Sequence, residues 1–351
     1  MDITVKTATP LWTGGIETGR IDRIHETGIL GSLRWWMEAL VRGMGGEACD
    51  PSGQKCPNDA KNPSSSICDV CRVFGTTGWR RRFRLEVIND ETQPIWDGHR
   101  TLNIRPPDRS RGWFLPPGRM GTFTLRLHGD EASLKFLSCL LLFLERWGSL
   151  GAKAQLGYGA FLIDNRSELV DYVRGYTFPH GDQSTHAASS VPNFQHFGFF
   201  HYHFPSDTPS WWSRLPGFER VVRDVRPLVE KYQCVPVVPV LKNAWRFQLW
   251  QRAWGQAHTF WGTLEPKAIR GKVLISWAYL KNEAWHIHGS VWLEGVQQEP
   301  VWAMLQETTR SWDHVLGVKG RLTALPSGAW HPWSQEGIPT LVRSEGLTLP
   351  T

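Results

Sequence analysis

MGTFTLRLHGDEASLKFLSCLLLFLERWGSLGAKAQLGYGAFLI, from Met120 to Ile163, is the stretch that decides the fold class. Its opening alternates, with Phe123, Leu125 and Leu127 directed one way, as in a strand with one buried face. Glu131 to Trp147 is long and strongly apolar and reads as a helix. Four glycines and one lysine follow, and Ala160 to Ile163 reads as a short strand. Strand, helix, glycine loop and strand in that order form half of a split βαβ unit.

A glycine loop with a lysine raises the question of phosphate. A nucleotide-hydrolysis loop needs G-x-x-x-x-G-K-[ST] between a strand and a helix. Here the loop follows a helix and precedes a strand, and Lys153 is followed by Ala154 and Gln155. The dinucleotide fingerprint G-x-G-x-x-G is absent too. Two readings remain: exposed amides beside one cation, suited to a sugar–phosphate backbone, or a helix C-cap and tight turn explained by Gly148 and Gly151.

Working outward, Ile3, Val5 and Thr7 alternate in a strand that ends before Pro10. A glycine-rich loop, LWTGGIETGRIDRI, precedes a helix expected from Gly28 with Thr27 as its cap. Ile29, Leu33, Trp36 and Leu40 share one face of it, and glycines 43, 45 and 46 end it. RRRFRLEVI is a strand with Phe83, Leu85 and Val87 on one side. Thr92 to Gly118 is a Pro- and Arg-rich excursion. The order β-α-β-(β)-β-α-β fits an α+β, ferredoxin-like domain over 1–164, with an insertion at about 44–72. Residues 165–194 read as a linker, and 195–330 as a degenerate second copy. That copy holds a strand in FGFFHYHF and helices near 217–232, 243–258 and 300–315. It also holds a hairpin turning at Lys281 to Glu283. Residues 331–351 read as a tail.

Of 351 residues, 41% are hydrophobic and 21% charged, which is globular composition. Lys and Arg number 39 against 33 Asp and Glu, a net charge of +6 that permits an anionic partner without requiring one. Twenty tryptophans are assigned mainly to cores, with base stacking as their second use. The N-terminus carries no apolar targeting segment, and Leu134 to Leu144 is well short of the ~20 residues that span a bilayer. A soluble, cytoplasmic protein is expected.

Cys49, Cys56, Cys68 and Cys71 cluster in polar sequence, spaced C-x6-C-x11-C-x2-C. Free cysteine prefers apolar burial, so four in such a segment point to a closed structural zinc site. An irregular insertion of this kind would draw much of its folding free energy from metal–thiolate bonds.

Taken in order, TPLWTGG, GILGSLRWWMEALVRG, CDVCRVFGTTGWRRRFRL and GAKAQLGYG resemble the RAMP superfamily of CRISPR-associated proteins. Within it they resemble the first RAMP subunit of the Cmr, or type III-B, effector complex. The likeness covers about 1–163 well and is looser over 195–320, in IRGKVLISWAYLKN and HIHGSVWL. It implies two ferredoxin-like, RRM-related domains and assembly with other Cmr subunits into an antiviral ribonucleoprotein. It also implies contact with the guide RNA 3′ region and with captured target RNA, cleavage being left to other subunits. No small-molecule substrate or membrane is implied.

The residues that would hold RNA are basic or aromatic. Arg20 and Arg23 lie in the first glycine loop, Arg34 and Trp35 on the first helix, and Arg80, Arg81, Arg82 and Arg84 form a cationic run. Lys153, Gln155 and Tyr158 belong to the second loop. Blander readings stand beside these: an Arg34–Glu38 pair at i,i+4 with Trp35 partly buried, and a solvated face for the arginine run. Arginines 100, 105, 109, 111 and 119 of the excursion are either a phosphate track or part of a segment disordered without RNA.

His201/His203 and His286/His288 are each i,i+2 on a strand face, and are read as ordinary half-exposed histidines for want of a carboxylate or third ligand nearby. Catalytic residues are therefore not assigned. The alternative is a metal-independent RAMP endoribonuclease processing guide precursors, with His25 or His201 in acid–base roles. A scaffold whose Trp-rich half binds only protein is a third reading.

Overall fold

The computed structural model describes residues 1–50, 56, 61–96, 100–107, 109–176, 191–207, 210–249, 260–262, 269, 271–293, 307 and 312–325. Its first part runs β1 (Asp2–Thr7), α1 (Glu26–Gly43), α2 (Pro63–Ser66), α3 (Asp69–Phe74), β2 (Phe83–Ile88), β3 (Gln93–Pro94), β4 (Leu102–Ile104), β5 (Trp113–Leu115), β6 (Arg119–Met120), β7 (Thr122–Gly129), α4 (Glu131–Trp147) and β8 (Phe161–Ile163). Four strands form an antiparallel sheet in the order β2-β7-β1-β8. The alternation seen in sequence sets its buried face: Ile3, Val5, Phe83, Leu85, Phe123, Leu125 and Leu127 all point into the core.

α1 buries Ile29, Leu33, Trp36 and Leu40, the face its spacing foretold. It starts two residues earlier than expected. His25, in extended backbone, occupies the cap position instead of Thr27, and its amide donates to Thr13 Oγ1 at 2.9 Å. α4 is capped by Asp130, which accepts from the Ser133 amide at 2.9 Å. Its apolar character on nearly every side has a direct cause, because it touches β7 and β8 of the first sheet and β9 and β13 of the second.

The later part contains α5 (Arg166–Tyr172), β9 (Phe197–Pro205), α6 (Val222–Tyr232), β10 (Cys234–Val235), α7 (Val238–Ala244), β11 (Val273–Ile275), β12 (Ala278–Lys281), β13 (Ala284–Trp292) and β14 (Arg321–Leu325). Its sheet has the order β10-β12-β13-β9-β14, with β11 also on β13. The hairpin turn lies at Asn282–Glu283, both at positive φ, as expected. Four details differ from the sequence reading, the first being that α6 begins at Val222 where a helix from about 217 was expected. α5 stands where a linker was expected, tied back by Arg166 to Glu145 at 2.9 Å. The second helix of this part begins at Val238 rather than 243, and β14 was not anticipated. Residues 177–190, most of 294–311 and the tail lie outside the described residues.

The Pro- and Arg-rich excursion is a docked element. β4 pairs with β5, and Leu102, Ile104 and Leu115 enter the core of the later part. Arg100 pairs with Asp224, and Arg109 donates to Asn243 Oδ1 at 3.0 Å while lying over the Phe247 ring. Exchange runs the other way too, since Phe194, Phe197 and Phe199 pack into the core of the first part. Trp147, Trp245, Trp277 and Trp312 are fully buried, as the core reading of the tryptophans required.

Candidate functional site

The four clustered cysteines converge. Their sulfurs all lie within 4.8 Å of one another, with Cys49 and Cys71 Sγ 3.6 Å apart. A tetrahedral cage with metal–sulfur bonds near 2.3 Å has edges of about 3.8 Å, so the donor set can close on one soft cation. CDVC achieves this by opening α3: Cys68 is the cap residue, and its sulfur accepts from the Cys71 amide at 3.4 Å. The Cys56 sulfur accepts from the Cys68 amide, also at 3.4 Å. Hydrogen bonding from the Cys71 thiol pulls the Cys68 thiol down to about 5, whereas burial and the nearby Cys68 thiolate push Cys49 up to about 11. Crowded sulfurs resist sharing more than one negative charge without a cation.

Arg34 belongs to this centre, which corrects the expectation that it faces RNA. Its Nε donates to Glu38 at 3.0 Å, Nη1 to Gly75 O at 2.9 Å and Nη2 to Cys71 Sγ at 3.1 Å. The i,i+4 pair anticipated as the alternative is real, and the guanidinium's remaining fork supports the sulfurs. Arg42, which the sequence reading passed over, is buried and holds the backbone at Cys49: its Nε donates to Ala48 O and its Nη2 to Cys49 O, at 3.1 and 2.7 Å. Its place one turn beyond Glu38 on the same helix face was the available signal.

The glycine loop is well tied. The Ala152 amide donates to Trp12 O, Gly159 N to Pro10 O and Leu150 N to Gly159 O, at 2.7, 2.9 and 2.9 Å. Lys153 adopts left-handed backbone at φ 64° and heads a short 3-10 turn, Ala154–Leu156. Its ammonium lies 4.5 Å from the centre of the Trp12 ring, and partial burial lowers its pKa. Two neighbours assigned to RNA face inward instead. Tyr158 is 1% exposed and its hydroxyl donates to Pro116 O, leaving no ring face for a base. Gln155 donates to Gly271 O at 2.6 Å and accepts from buried Lys242 at 3.1 Å. Bonds of this kind join residues far apart in the chain, where local pattern carries no signal.

The arginines divide. Arg20, Arg23, Arg80, Arg82 and Arg84 are exposed. Arg20 pairs with Glu17, Arg23 with Glu26 at 3.0 Å and Arg84 with Glu86 at 2.6 Å. Arg81 is turned back on its own strand, donating to Phe83 O at 2.7 Å. Trp35 is half-buried, edge-on to Trp36 and Phe197 with ring centres 4.9 and 6.1 Å away. In the excursion, Arg119 donates to Thr92 Oγ1 at 2.9 Å and to Asp22 O at 2.7 Å.

The four strand histidines are more than ordinary half-exposed side chains. β9 and β13 set His203 opposite His286 and His201 opposite His288. His286 Nε2 lies 3.1 Å from Lys281 O, a pure acceptor, so that nitrogen carries the proton and Nδ1 accepts from His201 Nε2 at 3.0 Å. By the same logic His288, 3% exposed, donates from Nε2 to Gly148 O at 2.8 Å and accepts from the Tyr279 hydroxyl at 3.1 Å. Burial lowers both His286 and His288 to about 4, and burial with neighbouring imidazoles holds His201 well below the usual range. They are neutral structural links, one of them joining the later sheet to the end of α4. His25 differs: its Nε2 lies 2.8 Å from Asp22 Oδ1 on the first glycine loop.

Among the described residues no helix is long and apolar enough to cross a membrane. No curated protein sequence matches the chain. Among solved structures, apo Cmr1 from Pyrococcus furiosus aligns over 93% of this chain and 98% of its own, at 12% identity and a TM-score of 0.42. A chain of a type III-B Cmr-beta complex bound to cognate target RNA and AMPPnP, in the presence of ssDNA, aligns over 88% and 98%, at 13% identity and a TM-score of 0.43. A chain of Cmr-beta bound to cognate target RNA aligns over 88% and 98%, at 12% identity and 0.41. Residues 4–161 match the family profile of the RAMP superfamily. That span holds α1, the CDVC helix, the glycine loop and most of β1, so the likeness to the RAMP superfamily lies in the first part of the chain.

Proposed function

We propose that this chain is a non-catalytic RNA-binding subunit of a type III-B CRISPR ribonucleoprotein. In this reading it works with other Cmr subunits in the cytoplasm, contacts the guide RNA 3′ region and helps to capture target RNA. The observation that carries the reading is the RAMP match over 4–161, a span that exposes Arg20 and Arg23 on one glycine loop, Arg80 and Arg82 leading into β2, and Arg84 on β2. Arg20, Arg23, Arg80, Arg82 and Arg84 are the phosphate contacts, and Lys153 on the second glycine loop is a further, partly desolvated cation. The central strands support two ferredoxin-like domains in tandem: β1 sits between β7 and β8 as β9 sits between β13 and β14. The four-cysteine centre is assigned to structural zinc, with Cys49, Cys56, Cys68 and Cys71 as its ligands and no open position for water.

One observation favours the rival reading, a metal-independent endoribonuclease: the His25–Asp22 pair on the glycine loop is a usable acid–base unit. Incubating purified protein, without added divalent metal, with labelled guide precursor and with single-stranded target RNA separates the two. Salt-sensitive binding of intact RNA is expected. Site-specific cleavage that His25→Ala abolishes would install the nuclease instead.

A further inference from the structure

A cleft of about 120 Å³ opens where α1, the glycine loop and the later sheet meet. Trp35, Gln155, Phe197, Lys272, Ser290 and Trp292 line it. That is below the range of about 300–1,000 Å³ typical of whole small-ligand sites and matches room for a single planar ring. The Phe197 and Trp292 rings stack with centres 6.1 Å apart and planes 10° apart, and Trp35 meets Phe197 edge-on at 76°. Three rings from three elements thus share one wall, and both tryptophans are only half-buried. Lys272 places its ammonium 5.0 Å from the centre of the Trp292 ring.

We propose that this cleft binds one unstacked nucleobase of single-stranded RNA against the Trp35–Trp292 wall, with Lys272 meeting the adjoining phosphate. This rests on the RNA-binding reading above and adds a place for a base to it. An aromatic platform with a cation at its rim is the pairing that single-strand sites use, because every base has a π-face and every nucleotide a negative charge. Lys272 gives the cleft a cationic edge beside the Trp292 ring. The position suits a strand arriving from the loop, since Gln155 of the cleft is two residues from Lys153 and is anchored to Gly271 of the later part. The site also gives the Trp-rich part a role that core packing does not exhaust.

The test measures affinity of the full-length protein for a ten-nucleotide single-stranded RNA against salt, with oligonucleotides made abasic at each position in turn. One abasic position should weaken binding of the wild type by roughly ten-fold, in the range for loss of one stacked base. Trp292→Leu should cost the same with an unchanged salt slope, and should remove the sensitivity to that abasic position. Trp292→Phe should bind nearly as wild type, and Lys272→Gln should flatten the slope by about one unit. Should Trp292→Leu fold poorly, photocrosslinking 5-iodouridine RNA to the wild type decides, with crosslinks expected at Trp35 or Trp292. Wild-type affinity for every abasic oligonucleotide, or crosslinks confined to other peptides, overturns the base site while leaving RNA binding intact. No salt-dependent RNA binding by the wild type at all removes the RNA-binding reading itself.

Discussion

Arg34 shows how one side chain is read two ways from sequence and a third in the fold. Its i,i+4 spacing to Glu38 was legible, and so was its place beside Trp35. Its bond to Cys71 Sγ was not, because it joins residues 37 positions apart through the docking of α3 on α1. The guanidinium serves three acceptors with a planar fork that an ammonium cannot reproduce. Arg34→Lys and Arg34→Met are therefore both expected to weaken zinc retention by about 10–100-fold, the range for partners that orient metal ligands. Competition with a chromophoric chelator measures this, and equal retention by Arg34→Lys would refute the fork argument. Lys153 sits at the opposite extreme. Its left-handed backbone is independent of its charge, so Lys153→Gly relieves the conformation while removing the cation. Weaker RNA binding with the salt slope lowered by about one unit, and an unchanged melting temperature, is the expected outcome. An unchanged slope would make the loop purely structural.

At the scale of elements, legibility followed pattern. β1, β2 and β7 were readable because one face of each is buried and the alternation is clean, and β9 and the β12–β13 hairpin from their aromatic alternation and turn, although β9 and β13 are buried on both faces over much of their length. The β4–β5 hairpin was not, since its Pro- and Arg-rich surface hides three inward residues, Leu102, Ile104 and Leu115, that only the later core explains. Register was equally silent: nothing in either strand announces that β9 and β13 set four histidines together. Their pairing has a consequence in acid. His286 and His288 are held near 4 in the fold, against about 6.5 in an unfolded chain, so below pH 6.5 the unfolded state binds protons that the folded state refuses. Their contribution is complete above pH 6.5 and is lost as pH falls toward 4. For buried His288 this amounts to roughly 3 kcal/mol at the limit. His288→Gln keeps a donor for Gly148 O without a titrating ring. It is expected to lower stability at pH 7.5 but to flatten the decline between pH 6.5 and 4. Denaturant melts across that range test this, and parallel pH profiles would show that the imidazole is not the titrating group.

Across the whole molecule, a chain read as two successive units with a linker is interlocked at its cores. The first core takes Phe194, Phe197 and Phe199 from beyond residue 190, and the later one takes Trp12, Ile104, Leu115 and Tyr158 from the first part. α4 lies between the sheets, and His288 and Lys242 bond backbone of the first part across the seam. Each of the three phenylalanine rings contributes about 1.5–3 kcal/mol on burial, so losing all three takes away much of the roughly 5–15 kcal/mol that holds a typical domain together. A fragment ending at residue 164 keeps every strand of its sheet and all four clustered cysteines. Yet it exposes the far side of α4, where Phe143 meets Phe194 and Phe199 with ring centres 5.3 and 5.4 Å away. We predict that this fragment lacks fixed tertiary packing even with zinc present, and that the full chain melts in a single calorimetric transition. Two resolved transitions, or a fragment with native near-ultraviolet dichroism, would show that the seam is an ordinary interface between self-sufficient domains. A single transition would mean that any RNA held at the seam stabilises both parts at once, because the surface it grips exists only while both are folded.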